Sequence, residues 1–217
     1  MKIALIGATG FVGTAVLKEA LQRGHEVTAI ARHPEKIAAA EGKVKPLAAD
    51  VLNINEVTEA VKGHEAVISA YNPGWANPDI HDVFLQGAQA IQAGVKASGV
   101  RRLLVVGGAG SLFVADGLQL IDTPQFPAEW KPGALAAREY LNIIKKEEDL
   151  DWTFLSPAIE MHQGTSGQRR GHYRSGLEQP VFDEKGRSVI SVEDMAIAIV
   201  DEIEQPKHIR ERFTVAY

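Results

Sequence analysis

The chain has 217 residues, 45% of them hydrophobic and 24% charged, with a formal net charge of −5. That length suits one α/β domain, and an acidic chain without a long basic run argues against nucleic acid as a partner. The absence of cysteine excludes disulfides, thiolate zinc sites and a cysteine nucleophile. No apolar stretch approaches the ~18 residues of a membrane span, and no targeting segment is evident, so the expectation is a cytoplasmic protein.

Ile3-Ala4-Leu5-Ile6 reads as a buried strand, and residues 11–23 read as a helix closed by Gly24. Between them stands Gly7-Ala8-Thr9-Gly10-Phe11-Val12-Gly13. Strand, glycine turn and helix make a phosphate cradle. The first glycine permits the tight turn, the second lets a diphosphate approach the backbone, and the third lets helix pack on strand. The helix N-terminus then offers free N–H groups and a partial positive charge.

Strands are expected at 27–31, 44–48, 66–69, 103–106, 153–156 and 213–216, with helices at 34–40, 54–61, 133–146 and 191–204. Asn77-Pro78 reads as a cap followed by proline at the first helical position, opening a helix through residue 98. Ser191 and Asp194 resemble a capping box. This alternation predicts an α/β fold, a Rossmann-type doubly wound parallel sheet, as a single domain over residues 1–217 with a small C-terminal substrate lobe. Residues 113–132 and 157–190 break the rhythm and are expected as substrate-side loops near the carboxyl ends of the strands.

In an NAD site an acid about 20 positions beyond the glycines bonds the ribose 2′-hydroxyl. Here that place carries Arg32, whose guanidinium suits a 2′-phosphate. The expected cofactor is therefore NADP(H), with NAD(H) the alternative, and His33 and Lys36 are candidate helpers. A solvated surface arginine is the competing reading. Asp50, followed by Val51, ends the third strand, where it could meet an adenine amino group or merely cap a turn. Ser69 and Ala70 end the fourth strand, where the backbone would pass the cofactor riboses.

Gly-Ala-Thr-Gly-Phe-Val-Gly at 7–13, Ala-Arg-His-Pro-Glu-Lys at 31–36 and Asp50 resemble the atypical short-chain dehydrogenase/reductases. So do Val105-Val106-Gly107-Gly108-Ala109-Gly110-Ser111-Leu112 and Leu150-Asp151-Trp152-Thr153-Phe154-Leu155-Ser156-Pro157-Ala158. The resemblance points most closely to the branch with flavin- and biliverdin-type reductases and NmrA-like sensors. It implies NADPH across the strand ends and a substrate pocket between the loops after strands five and six. Candidate cofactor contacts are thus Gly7, Thr9, Gly10, Phe11, Val12, Gly13, Arg32, Asp50, Val51, Ser69, Ala70 and Gly107.

Typical short-chain dehydrogenases use a serine and a Tyr-x-x-x-Lys pair, because i and i+4 share a helix face and lysine lowers the tyrosine pKa for proton exchange. Ser111 is placed for the serine role, or for capping a turn. Tyr140 is the tyrosine candidate, but Ile144 stands four residues on, and Lys145 lies about 140° around the helix. Tyr140 also fits an apolar stripe with Leu135, Ala136, Ile143 and Ile144. Tyr71, in Tyr71-Asn72-Pro73-Gly74-Trp75, is a third catalytic candidate, with Trp75 able to stack on a planar substrate. His81 reads as a proton donor or a solvated histidine. His162, Arg169, Arg170, His172 and Arg174 read as a mobile basic loop for anions, or as solvated surface. The histidines show no metal spacing.

Without the Tyr–Lys pair, the expected activity is NADPH-dependent hydride transfer to a small planar acceptor such as a flavin or quinone, which needs no dedicated proton donor. The alternatives are a non-catalytic NADP(H)-binding redox sensor and, further off, a relative of nucleotide-sugar epimerases and dehydratases.

Overall fold

Residues 3–6 are apolar without alternation, as a strand covered on both faces requires, and all four are buried. The computed structural model describes residues 1–37 and 43–217. In chain order the elements are β1 (Lys2–Ile6), α1 (Phe11–Gln22), β2 (Glu26–Ala31), β3 (Val44–Ala48), α2 (Ile54–Val61), β4 (Ala66–Ser69), α3 (Ile80–Ser98) and β5 (Arg102–Val106). They continue with β6 (Phe113–Ala115), β7 (Leu118–Gln119), α4 (Lys131–Ile144), β8 (Asp151–Ser156), β9 (Arg174–Gly176), α5 (Val192–Glu204) and β10 (Glu211–Ala216).

The main sheet runs β3-β2-β1-β4-β5-β8-β10-β9. All its pairings are parallel except the edge pair of β9 with β10. This is a Rossmann-like α/β sheet, and its strand order reverses between β1 and β4, the place where such sheets bind ligands. One core layer gathers Val16, Leu17 and Ala20 of α1 with Met195, Ile199 and Ile203 of α5. The other gathers Val57 of α2, Ile91 and Val95 of α3, and Leu141 and Ile144 of α4.

Helix α4, β8 and β10 each start two residues earlier than the sequence reading, and three further differences stand out. Helix α3 starts at Ile80 rather than Pro78, because Asn77 Oδ1 accepts from the Asp79 N–H (2.9 Å) and makes a turn ahead of the helix. Pro34–Lys36 is a single 3₁₀ turn that ends at Ile37, which is extended, and residues 38–40 of the expected helix lie outside the described residues. The stretch 113–132 holds a hairpin, β6 with β7, turning at Asp116-Gly117, where Gly117 has φ +68°.

The long segment after β8 divides. Residues 162–173 fold back onto α1 and α5: Arg169 makes two hydrogen bonds to Glu19 at 3.1 Å. The Arg170 and Gly171 N–H groups donate to the buried Asp194 carboxylate at 2.9 and 2.8 Å. Of the basic segment, read as a mobile loop for anions or as solvated surface, Arg169, Arg170 and His172 are exposed, while its backbone is tied to α5 through Asp194 and Arg169 to α1 through Glu19. Beyond it the chain joins the sheet as β9 and reaches the β6 hairpin, where the Phe113 N–H donates to the Glu178 carbonyl (2.9 Å).

Candidate functional site at the carboxyl ends of the strands

The three turn glycines meet different demands. Gly7 has φ +80°, and a Cβ there would lie 2.5 Å from the Ala70 carbonyl oxygen, so β1 and β4 close together only around glycine. A Cβ on Gly13 would lie 2.0 Å from the Gly7 carbonyl oxygen, which fixes glycine where α1 packs on the turn. At Gly10 a Cβ would meet only the Gly7 carbonyl oxygen, at 3.3 Å. Gly10 is exposed, so its missing side chain leaves room on the outer side. The first turn of α1 carries no acid, and Gly10 makes no side-chain cap. The leading N–H groups of the helix thus suit an anion, and these residues fit a dinucleotide diphosphate. Thr9 and Phe11 are exposed beside them, and Val12 is half-buried.

On the β3-β2 side, Arg32 is exposed just past β2 and Asp50 just past β3. Asp50 Oδ1 accepts from the Leu52 N–H (3.0 Å), so the carboxylate shapes its own turn; Val51 is buried behind it. Tyr71 belongs to this same half. Burial pushes its phenol up, while Arg32 draws it down and Asp50 pushes it up again, so all three share one electrostatic neighbourhood. Its hydroxyl donates to the Val83 carbonyl (3.0 Å), and its ring stacks on Phe84 with centroids 6.0 Å apart. A Cβ on Gly87 would be 2.4 Å from that ring, so glycine at this position of α3 makes a seat for Tyr71. This geometry packs Tyr71 against α3, with its proton already engaged. Ser69 is buried and Ala70 half-buried at the switch point.

On the β5-β8 side, Gly107 donates its N–H to the Leu155 carbonyl (2.8 Å), and a Cβ on it would meet the Phe154 ring at 2.0 Å. Ser111 is 2% exposed, in a 3₁₀ turn over Ala109–Ser111. Its Oγ accepts from Arg212 at 3.2 Å. Arg212 was not singled out from sequence: in Arg210-Glu211-Arg212-Phe213 it stands in a charged run ahead of the apolar residues, with no local signal of burial. Tyr140 is 1% exposed, lies in the α2–α3–α4 core layer, and its hydroxyl has no hydrogen-bond partner. Burial pushes its phenol far above the ordinary value, the reverse of what proton exchange near neutrality needs.

Trp75 is exposed, and its ring lies over the start of α4, 2.8 Å from where a Cβ on Gly133 would stand. His81 lies between Asp82 (2.8 Å) and Glu139 (3.3 Å) on the surface. Arg170 stacks on the Tyr217 ring at 3.9 Å, and His162 Nδ1 accepts from the Gly164 N–H (3.0 Å). Among the described residues no three His, Asp or Glu side chains gather as a metal site, and no helix is long and apolar enough to cross a membrane.

The sequence profile of a family described as NAD(P)H-binding matches residues 7–206. YwnB of Bacillus subtilis, an uncharacterised protein, is 42% identical over 217 residues, 99% of this chain and 98% of its own. A solved structure from Bacteroides thetaiotaomicron, of a protein provisionally named an epimerase, superposes with a TM-score of 0.92 at 51% identity. That match covers 100% of this chain and 96% of the other. A Streptococcus pneumoniae protein provisionally named an NADH-flavin reductase superposes with a TM-score of 0.83 at 37% identity, over 100% and 99% of the two chains. A match of that extent over a Rossmann sheet places the chain in the NAD(P)H-binding family, among the atypical short-chain dehydrogenase/reductases.

Proposed function

We propose that this protein is an NADPH-preferring reductase that passes a hydride to a small planar, conjugated acceptor such as a flavin or quinone. The observation that carries the reading is the state of its phenols and of Ser111 near the crevice. Tyr140 is sealed in the core, Tyr71 donates to Val83, and Ser111 is held by Arg212. No tyrosine has a lysine four residues later. A simple ketone needs a proton delivered to its oxygen as hydride arrives, whereas a flavin or quinone delocalises the charge and takes its proton from water.

The dinucleotide, when bound, supplies the hydride. In this reading the N–H groups at the start of α1 and the bare edge of Gly10 hold the diphosphate. Arg32 holds the 2′-phosphate through its fork of donors, Asp50 faces the adenine, and the backbone at Ser69 and Ala70 lines the ribose path. Gly107 and the turn carrying Ser111 line the acceptor side, with Trp75 a candidate platform for a planar ring. The S. pneumoniae relative's name supports a flavin.

Steady-state oxidation of NADPH with FMN, riboflavin and menadione tests the proposal. Turnover of at least one of them, faster with NADPH than with NADH, is expected. Tight NADPH binding with no turnover of any acceptor would overturn it in favour of a redox-sensing role.

A further inference from the structure

The loop after β5 runs from Gly107 into the 3₁₀ turn Ala109–Ser111, and both its ends are held from beneath by one pair of residues in register. Phe154 of β8 stands opposite Arg212 of β10. The Phe154 ring fills the space under Gly107. Arg212 holds the other end: one guanidinium nitrogen donates to Ser111 Oγ (3.2 Å) and Ser156 Oγ (3.3 Å). The second donates to the Ser111 carbonyl (3.4 Å) and pairs with Glu178. The Arg212 side chain is 0% exposed and its Nε has no partner.

Burying a guanidinium costs several kcal/mol, and an apolar side chain of similar size fills such a space at less cost. The fold alone therefore gives no reason for arginine here. What the arginine adds is direction: it ties the loop after β5, the end of β8 and the strand-edge segment at Glu178 to one planar group. We infer that Arg212 is a positioning residue that sets the acceptor-side wall of the crevice, acting through Ser111, independently of nucleotide binding on the α1 side. The inference rests on the proposed reading for its catalytic consequence, but not for its effect on the loop.

The test compares wild type with Arg212→Met, Arg212→Lys and Glu178→Ala. Three quantities are read: amide hydrogen exchange at residues 107–122 and 7–22, the Kd for NADPH, and KM and kcat with menadione. For Arg212→Met, exchange at 107–122 should quicken about tenfold while 7–22 stays protected. The NADPH Kd should move less than about twofold and the menadione KM rise about tenfold, more than kcat falls. Arg212→Lys keeps the charge but loses the fork, and should restore part of the KM. If Arg212→Met does not fold, Glu178→Ala should move loop exchange and KM in the same direction by less, and no movement in either would overturn the inference. Exchange rising equally at 7–22, with nucleotide affinity lost in parallel, would also overturn it, since Arg212 would then be a general brace. If wild type reduces no acceptor while loop exchange shifts as expected, the reductase reading falls and the loop-holding role stands.

Discussion

Gly10 and Gly13 stand three residues apart in the same turn, and substitution separates their roles. A methyl on Gly13 meets backbone oxygen at 2.0 Å, and the backbone there has nowhere to go. Gly13→Ala should cost about 1–3 kcal/mol or more of stability and lower nucleotide affinity with it. A methyl on Gly10 touches the protein only at 3.3 Å, so Gly10→Ala should keep its melting temperature within a few degrees. It should still bind NADPH about tenfold more weakly, because the methyl occupies the approach of the diphosphate. Thermal melts and fluorescence titrations of both variants check the split; equal effects on melting would contradict it. Tyr140→Phe tests the catalytic candidacy of that phenol. Its buried hydroxyl has no partner, and an unpaired buried polar group costs about 1–3 kcal/mol. Tyr140→Phe should be neutral or stabilising, with turnover unchanged; a large fall in kcat with an intact fold would restore Tyr140 to the chemistry.

Among the elements, α5 shows how a local signal and a distant one combine. Ser191 Oγ accepts from the Asp194 N–H at 3.1 Å, the cap that the sequence suggests. The Asp194 side chain does something the sequence hides. It turns away from the cap backbone to receive the Arg170 and Gly171 N–H groups, the Tyr217 hydroxyl and the Ser191 hydroxyl. Ser191→Ala should therefore destabilise by about 1 kcal/mol. Burial raises the Asp194 carboxyl, but hydrogen bonds from Tyr217, Arg170, Gly171 and Ser191 more than offset this and hold it below the ordinary value. A carboxyl depressed in the folded state contributes stability above its unfolded pKa, about 4, and that contribution is lost as pH falls through the folded value. Urea midpoints of wild type and Asp194→Asn should thus lie apart at pH 7 and draw together as the pH falls below about 4; a constant gap would show that the carboxylate charge is not the source.

The same contrast runs through the other elements. The glycine turn and its flanking strand and helix are legible because every contact they need lies within a few residues. The start of α3 misleads by two residues because Asn77-Pro78 can open a turn as readily as a helix. The hairpin at 113–119 escaped although Asp116-Gly117 is a strong turn dipeptide, because its strands are only three and two residues long. Tyr71 in the pocket over Gly87, Arg212 under Ser111, and Arg169 on Glu19 join residues 16, 101 and 150 positions apart. Nothing local distinguishes such a tyrosine or arginine from a solvated one.

Over the whole molecule, the sheet divides the crevice into two halves with different chemistry. The β4-β1-β2-β3 ends carry Tyr71, the cradle, Arg32 and Asp50, the half that the proposal assigns to the nucleotide. The β5-β8 side carries Gly107 and Ser111, with Arg212, near the start of β10, buried beneath them. Relatives matched over nearly the full chain carry provisional names as different as epimerase and NADH-flavin reductase. That spread fits a fixed nucleotide half joined to a second half that varies in use. The account therefore stands first on the nucleotide half. Its most direct test is a fluorescence titration with NADPH and NADH on wild type and Arg32→Ala. The account predicts much tighter binding of NADPH to wild type and loss of that preference in Arg32→Ala, with NADH binding little changed. Equal affinity of wild type for the two nucleotides, or an Arg32→Ala variant that keeps the preference, would contradict it.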